Sequence, residues 1–183
     1  PLGCYGDGGA LFTNDDDLAS LFRSIRVHGR GIDKYENVRL GITGRLDALQ
    51  AAVLIPKLSI FPDELKSRQR VALTYEKLIS SSNLNLITPK VPNGYVSAWA
   101  QYSILAPDQI ERQRLLDKLR VAEVPTMVYY TKPLHLQKAL SNLGYKVGDF
   151  PVSEEASKRI FSLPMHPYLD ENVISVIVDA MVH

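Results

Sequence analysis

The sequence predicts a mixed α/β chain whose later part is a small α+β domain, and three observations predict it. A glycine-dense turn runs into the apolar stretch Ala10-Leu11-Phe12-Thr13 and then into acidic residues suited to start a helix. A second helical pattern opens near Arg45 and, interrupted by Pro56 and Pro62, resumes to about Ile79. From residue 84 to 130 the order is strand, strand, helix, strand, which fits helices packed on one sheet.

Taken in order, residues 5–13 read as a tight turn entering a short strand, and Asn14-Asp15-Asp16-Asp17 offers an N-cap. Leu18, Leu21, Phe22 and Ile25 recur at helical spacing, and the helix is expected to stop near His28-Gly29. Residues 30–44 hold glycines but little periodicity, so they predict an excursion or a loose hairpin. Leu46, Leu49, Val53 and Leu54 form the expected core stripe of the next helix. Pro56 and Pro62 predict a break or kink, because proline lacks the N–H that the helix ladder needs.

Residues 80–83 are a linker, 84–88 a strand, and Pro92-Asn93-Gly94 a turn. Residues 98–105 alternate as a strand does, 109–120 carry an amphipathic helical pattern, and 125–130 make a further strand. Residues 134–143 suit a short helix, and Ser153 is placed to cap another whose first turn contains Glu154 and Glu155. An extended connection at 161–167 leads to a closing helix at 171–182.

Composition narrows the function classes. Of 183 residues, 45% are hydrophobic and 22% charged, enough apolar material for a globular core. Lys plus Arg number 21 against 20 Asp plus Glu, a balance that argues against nucleic acid, a membrane surface or a polyanion as partner. Cys4 is the single cysteine and so forms no internal disulfide; with no bilayer-length apolar run, a reducing cytoplasm is the expected setting. The chain opens at Pro1 without a signal-peptide pattern, which reads as an interior start.

Several clusters are candidates for chemistry. Gly6-Asp7-Gly8-Gly9 permits close backbone approaches around one carboxylate, or is simply a tight turn; it lacks the spacing of a phosphate loop. His28 before Gly29 reads as a structural cap. Arg45, at an expected loop-to-helix junction, is either an anion-binding guanidinium for phosphate or carboxylate or a surface arginine. Tyr129, Tyr130, Lys132 and His135 gather hydroxyls, a cation and an imidazole beyond a strand, a mixture that nucleotide rings and sugar hydroxyls can use. The alternative is a half-buried tyrosine pair beside a snorkelling lysine. His166 reads as a packing histidine. Dispersed histidines and a solitary cysteine predict no zinc site, and no Gly-x-Ser-x-Gly marks a serine hydrolase.

The segments at 2–10, His28-Gly29, 44–52, 97–102 and 133–167, in this order and spacing, resemble the DegT/DnrJ/StrS family of pyridoxal-phosphate-dependent sugar aminotransferases. The resemblance covers nearly the whole chain and is strongest to members acting on UDP-linked 2-acetamido-3-oxo-uronic acids. It implies the C-terminal part of a fold-type I aminotransferase. Residues 1–45 would be the end of the large cofactor domain and a cross-subunit loop, and 46–183 a long linking helix and the small α+β domain. The family's cofactor lysine would immediately precede Pro1, so no catalytic residue is assigned within the chain.

The resemblance further implies a cytoplasmic homodimer with shared active sites, using glutamate and a nucleotide sugar in surface-polysaccharide or lipopolysaccharide synthesis. Thr43 would contact the cofactor phosphate, Arg45 the uronate carboxylate or diphosphate, and Tyr129, Tyr130 and His135 the nucleotide-sugar side. Thr43 replaces the asparagine usual in the family, and Thr131 replaces a frequent proline. Two alternatives stand beside this reading: a non-catalytic dimerisation or binding module, and part of a sugar dehydratase using the same cofactor.

Overall fold

Helix α1, Asp16–Ile25, begins where its first free N–H groups find an acceptor: Asp15 Oδ1 takes the amides of Asp17 and Leu18 at 2.9 and 3.0 Å. The computed structural model describes residues 2–183. The interior start expected at Pro1 lies outside them. Two compact units make up the described chain, Leu2–Pro62 and Asp63–His183.

In the first unit, α1 ends three residues before His28, and residues 26–44 fold into the loose hairpin that the glycines predict, with bridges Val27↔Thr43 and Arg30↔Asn37. Its closure depends on glycine at two positions. A Cβ on Gly29 would lie 1.8 Å from the Arg39 carbonyl oxygen, and one on Gly41 would lie 2.1 Å from the Gly29 nitrogen. The bare backbones let His28 N–H reach Ile42 O at 3.0 Å and Ile42 N–H reach Ile25 O at 2.9 Å. Ser24, buried at the helix end, donates to Arg30 O at 2.6 Å.

The strand expected at 10–13 does not form. A strand satisfies its backbone by pairing, no partner strand runs beside it among the described residues, and Phe12 is 92% exposed. The long helix α2 begins at Ala48 rather than Arg45 and continues to Ser81, so neither proline ends it and the expected linker at 80–83 starts two residues later. The expected stripe at its start is not a core: Leu49 is 82% exposed, and Leu46 is also open.

In the second unit, α2 supplies Val71, Ala72, Tyr75 and Ile79, buried at helical spacing. They share one core with a two-stranded antiparallel sheet, β1 (Tyr102–Leu105) and β2 (Ile160–Leu163), in the register Tyr102↔Leu163 to Leu105↔Ile160. Helix α3, Gln109–Val121, is capped by Asp108 and buries Leu115 and Leu119. Helix α5, Glu171–Val182, is capped by Asp170 and buries Ile174, Ile177, Val178 and Met181. Both match their expected spans closely.

The flanking strands expected at 84–88 and 125–130 shrink to single bridges, Ile87↔Leu105 and Met127↔Ser162. Pro89 and Pro125 stand two residues away from each bridge and remove the donors that would lengthen the ladder. Two short 3-10 turns, Leu134–Leu136 and Lys138–Leu143, replace the helix expected at 134–143. Helix α4, Pro151–Arg159, starts on proline, which needs no donor there, so Ser153 lies inside the helix and is not its cap.

Candidate functional site

The hairpin of the first unit carries two of the candidates. Thr43, on the bridge to Val27, is exposed, with its hydroxyl 3.4 Å from the ring nitrogens of His28. His28 takes a positive φ of 60° followed by Gly29 at 73°, which turns the chain out of the helix and fits the structural role expected of it. Arg45 is exposed and makes no ion pair or side-chain hydrogen bond among the described residues. It precedes the helix by three residues, so the first-turn amides expected to join it in anion binding lie beyond Asp47. What remains is a free guanidinium two residues from an exposed hydroxyl.

The glycine turn at 6–9 is packed closely against its neighbours. Tyr5 N–H donates to Gln50 Oε1 at 2.7 Å, and Cys4 Sγ donates to Gly6 O at 2.9 Å. Cβ atoms on Gly6 and Gly8 would come within 3.3 Å of Gln50 and 3.2 Å of Cys4. Residues 9–14 and α1 also line an open cleft of about 920 Å³ that contains Arg23 and Arg26. No sequence motif marks these two arginines, because their shared cleft depends on how residues 9–14 lie along the helix.

In the second unit Tyr129 and Tyr130 are 52% and 65% exposed, more open than a half-buried pair. Tyr129 lines a cleft of about 240 Å³ with Gln101, Met127, Ser162 and Met165. Neither tyrosine hydroxyl is hydrogen-bonded among the described residues, so both are available as donors and acceptors. His135 is not part of an exposed cluster with them. Its side chain is only 8% exposed and meets Glu154, at 14%, with Nε2 3.0 Å from Oε1.

Glu154 was not singled out by the sequence beyond its place in a helix's first turn. Its carboxylate also accepts Gly148 N–H, at 2.9 and 3.1 Å, and Phe150 N–H at 3.3 Å. The Gly148 amide above all, then His135 and Phe150, hold its carboxyl below the usual carboxylate range against the opposing effect of partial burial. The sequence signal was faint: an acid just past a Gly-Asp-Phe-Pro turn. Its partner in chain order, His135, is 19 residues away.

His166 is exposed rather than packed, and its Nδ1 accepts Tyr168 N–H at 3.2 Å. Tyr168 OH in turn donates to Glu64 at 2.6 Å, and that hydrogen bond raises the phenol's pKa. Burial pushes Tyr75 and Tyr102 far up as well, so neither is an acid or base near neutral pH. Among the described residues no group of three His, Cys, Asp or Glu is arranged to hold a metal, and no helix is long and apolar enough to cross a membrane.

The model of the DegT/DnrJ/EryC1/StrS aminotransferase family matches residues 1–182. The chain is 43% identical, over 99% of its length and 48% of the relative's, to a UDP-2-acetamido-2-deoxy-3-oxo-D-glucuronate aminotransferase of Pseudomonas aeruginosa. Its fold superposes with a TM-score of 0.88 on a DegT DnrJ EryC1 StrS aminotransferase from Brucella abortus, at 47% identity, covering 98% of this chain and 47% of that one. S. venezuelae DesV, solved with a ketimine intermediate, also gives a TM-score of 0.88, at 28% identity over 97% and 47% of the two chains. The chain thus spans about half the length of the relatives it matches.

Proposed function

The chain belongs to the DegT/DnrJ/EryC1/StrS aminotransferase family, and from that premise we propose that the complete protein moves an amino group from glutamate to the 3-keto carbon of a UDP-linked N-acetyl-uronic acid. The product serves surface-polysaccharide synthesis in the cytoplasm. The observation that carries this reading is the 43% identity, over 99% of the chain, to an aminotransferase named for a UDP-linked 3-oxo-glucuronate. Residues 1–45 are read as the end of the large domain with a cross-subunit loop, and 46–183 as the linking helix and small domain. The working unit is a homodimer with shared sites.

Pyridoxal phosphate, when bound, supplies the electron sink for moving the amino group. The donor chemistry present suits its phosphate, for which an exposed Thr43 hydroxyl is available, and two residues on a guanidinium without a carboxylate partner among the described residues is available to the anionic substrate. Thr43 would contribute one hydrogen bond to that phosphate, with less reach than an asparagine amide would have. Arg45 binds the uronate carboxylate or the diphosphate, where its planar fork pairs two oxygens at once. Tyr129 and Tyr130 offer hydroxyls and ring faces to the nucleotide sugar, and His135 shapes the same side.

The test uses the complete protein with pyridoxal phosphate, glutamate and a UDP-linked 3-keto-N-acetyl-uronic acid. The expected result is 2-oxoglutarate formed together with the 3-amino sugar. Absence of 2-oxoglutarate across several keto-sugar nucleotides overturns the reading.

A further inference from the structure

Glu154 gathers three donors that differ in one respect. The backbone N–H groups of Gly148 and Phe150 can only donate, whereas the His135 ring nitrogen is a donor in one tautomer and an acceptor in the other. An ionised carboxylate accepts only, and two fixed amides already converge on Oε1. The third partner of that oxygen, His135 Nε2 at 3.0 Å, must therefore bring its own hydrogen. Nδ1 of the neutral ring is then a bare acceptor, and it has no hydrogen-bond partner among the described residues.

The ring is also held from the side. Phe150 packs on His135 with ring centroids 4.8 Å apart, and Tyr145 meets Phe150 edge-on at 5.1 Å. Gly148 takes φ 96°, a conformation that places its N–H on the carboxylate and that side chains rarely adopt. Carboxylate, turn and aromatic contact thus fix both the tautomer and the plane of one imidazole. Such preparation commits two backbone amides and a partly buried acid to orienting a single acceptor nitrogen.

We propose that Glu154 is a positioning residue for His135, holding it in the Nε2–H tautomer so that Nδ1 accepts a hydrogen bond from a hydroxyl or amide N–H of the nucleotide sugar. The ligand half rests on the reading of the complete protein as a nucleotide-sugar aminotransferase; the tautomer half stands apart from it. A sugar nucleotide carries both donor types, on its ring hydroxyls and on its acetamido group. An oriented acceptor distinguishes a hydroxyl from a keto oxygen at the same place, because only the hydroxyl can donate.

The experiment is nitrogen NMR of the complete protein labelled with 15N-histidine, at about pH 8 where free histidine is neutral, with the His135 signal identified by its loss in His135→Gln. The expected spectrum has Nε2 protonated and Nδ1 bare, and Glu154→Ala yields a mixture of tautomers. Protonated Nδ1 in the unaltered protein, or a tautomer unchanged in Glu154→Ala, overturns the positioning role.

UDP-N-acetylglucuronic acid is then titrated calorimetrically. The expected result is a changed Nδ1 shift on binding, and affinity weakened about tenfold in His135→Gln, the loss of one net hydrogen bond. That variant keeps an amide donor for Glu154, so its melting temperature checks that the fold survives. Equal affinity of His135→Gln and the unaltered protein overturns the Nδ1 contact while leaving the proposed activity intact. No binding by the unaltered protein, with the tautomer as expected, overturns the ligand half and the nucleotide-sugar reading together.

Discussion

The buried guanidinium of Arg68 donates through Nη1 to the carbonyl of Trp99 at 2.9 Å, and Trp99 itself takes a positive φ of 47°. A large non-glycine residue in that region is strained by about 1–3 kcal/mol and persists only where its surroundings hold it. Three groups hold it here: Arg68 on its carbonyl, Ser97 Oγ on its N–H at 3.1 Å, and Gln69 Oε1 on its indole N–H at 2.8 Å. The same guanidinium reaches Met165 O at 3.4 Å, so it joins the chain entering β1 to the chain leaving β2.

Arg68→Met is expected to destabilise the protein by about 1–3 kcal/mol. The Trp99 carbonyl loses its donor in a buried place, while removing a charge that has no carboxylate partner among the described residues offsets part of that cost. Arg68→Ala is expected to lose more, because it adds a cavity. Urea unfolding of the complete protein checks both, read as a lower midpoint at unchanged slope.

Gly41→Ala is expected to open the hairpin that carries Thr43 and Arg45. Its Cβ would lie 2.1 Å from Gly29 N and 2.7 Å from Ile25 O, both backbone atoms that have nowhere to move without breaking the 26–44 pairing. Hydrogen exchange reads the result directly: the amides of His28 and Ile42, now bonded to Ile42 O and Ile25 O, should lose protection, while α3 and α5 keep theirs. Unchanged protection at His28 and Ile42 would show that the hairpin tolerates the added carbon.

These two predictions mark where sequence reading reached and where it stopped. Helices announced themselves through local pattern: an acidic run at 14–17 offered the cap that Asp15 supplies, and the spans of α3 and α5 were readable in the sequence, while their caps Asp108 and Asp170 emerged only in the structure. Strands depend on neighbours that pattern alone does not reveal. Leu11 and Phe12 have strand composition but no partner among the described residues, and Pro89 and Pro125 cut their segments to one bridge each. The continuity of α2 through Pro56 and Pro62 likewise escaped the local rule. In the candidate site, the sequence singled out Thr43 and Arg45, which the structure leaves exposed, but not Glu154, because its partners are a turn amide and a histidine from elsewhere in the chain.

Arg45 separates binding from folding because its side chain is exposed and unpaired among the described residues. In the complete protein Arg45→Ala is expected to raise the KM for the keto-sugar nucleotide about ten- to a hundredfold, the range for a charge-assisted hydrogen bond to an anion. The melting temperature should stay the same. Arg45→Lys keeps the charge but not the two-pronged geometry, so its KM should fall between the two. A KM unchanged in Arg45→Ala would remove the residue from the binding site.

Acid stability should report on Glu154. Its carboxyl is held below the usual range in the folded protein, chiefly by the Gly148 amide, so at low pH the unfolded chain takes up a proton more readily than the folded one. The stabilisation is fully present above the unfolded value of about 4.3 and fades as pH falls through the lower folded value. Glu154→Gln does not titrate, and its amide sets a donor against the Gly148 N–H that now meets Oε2 at 3.1 Å. Near neutral pH the variant should therefore melt below the unaltered protein, and the gap should narrow below about pH 4.3 as the native carboxylate is protonated. Melting curves across this range decide the matter: a gap constant with pH would mean that Glu154 holds the turn at 144–150 by shape rather than by charge.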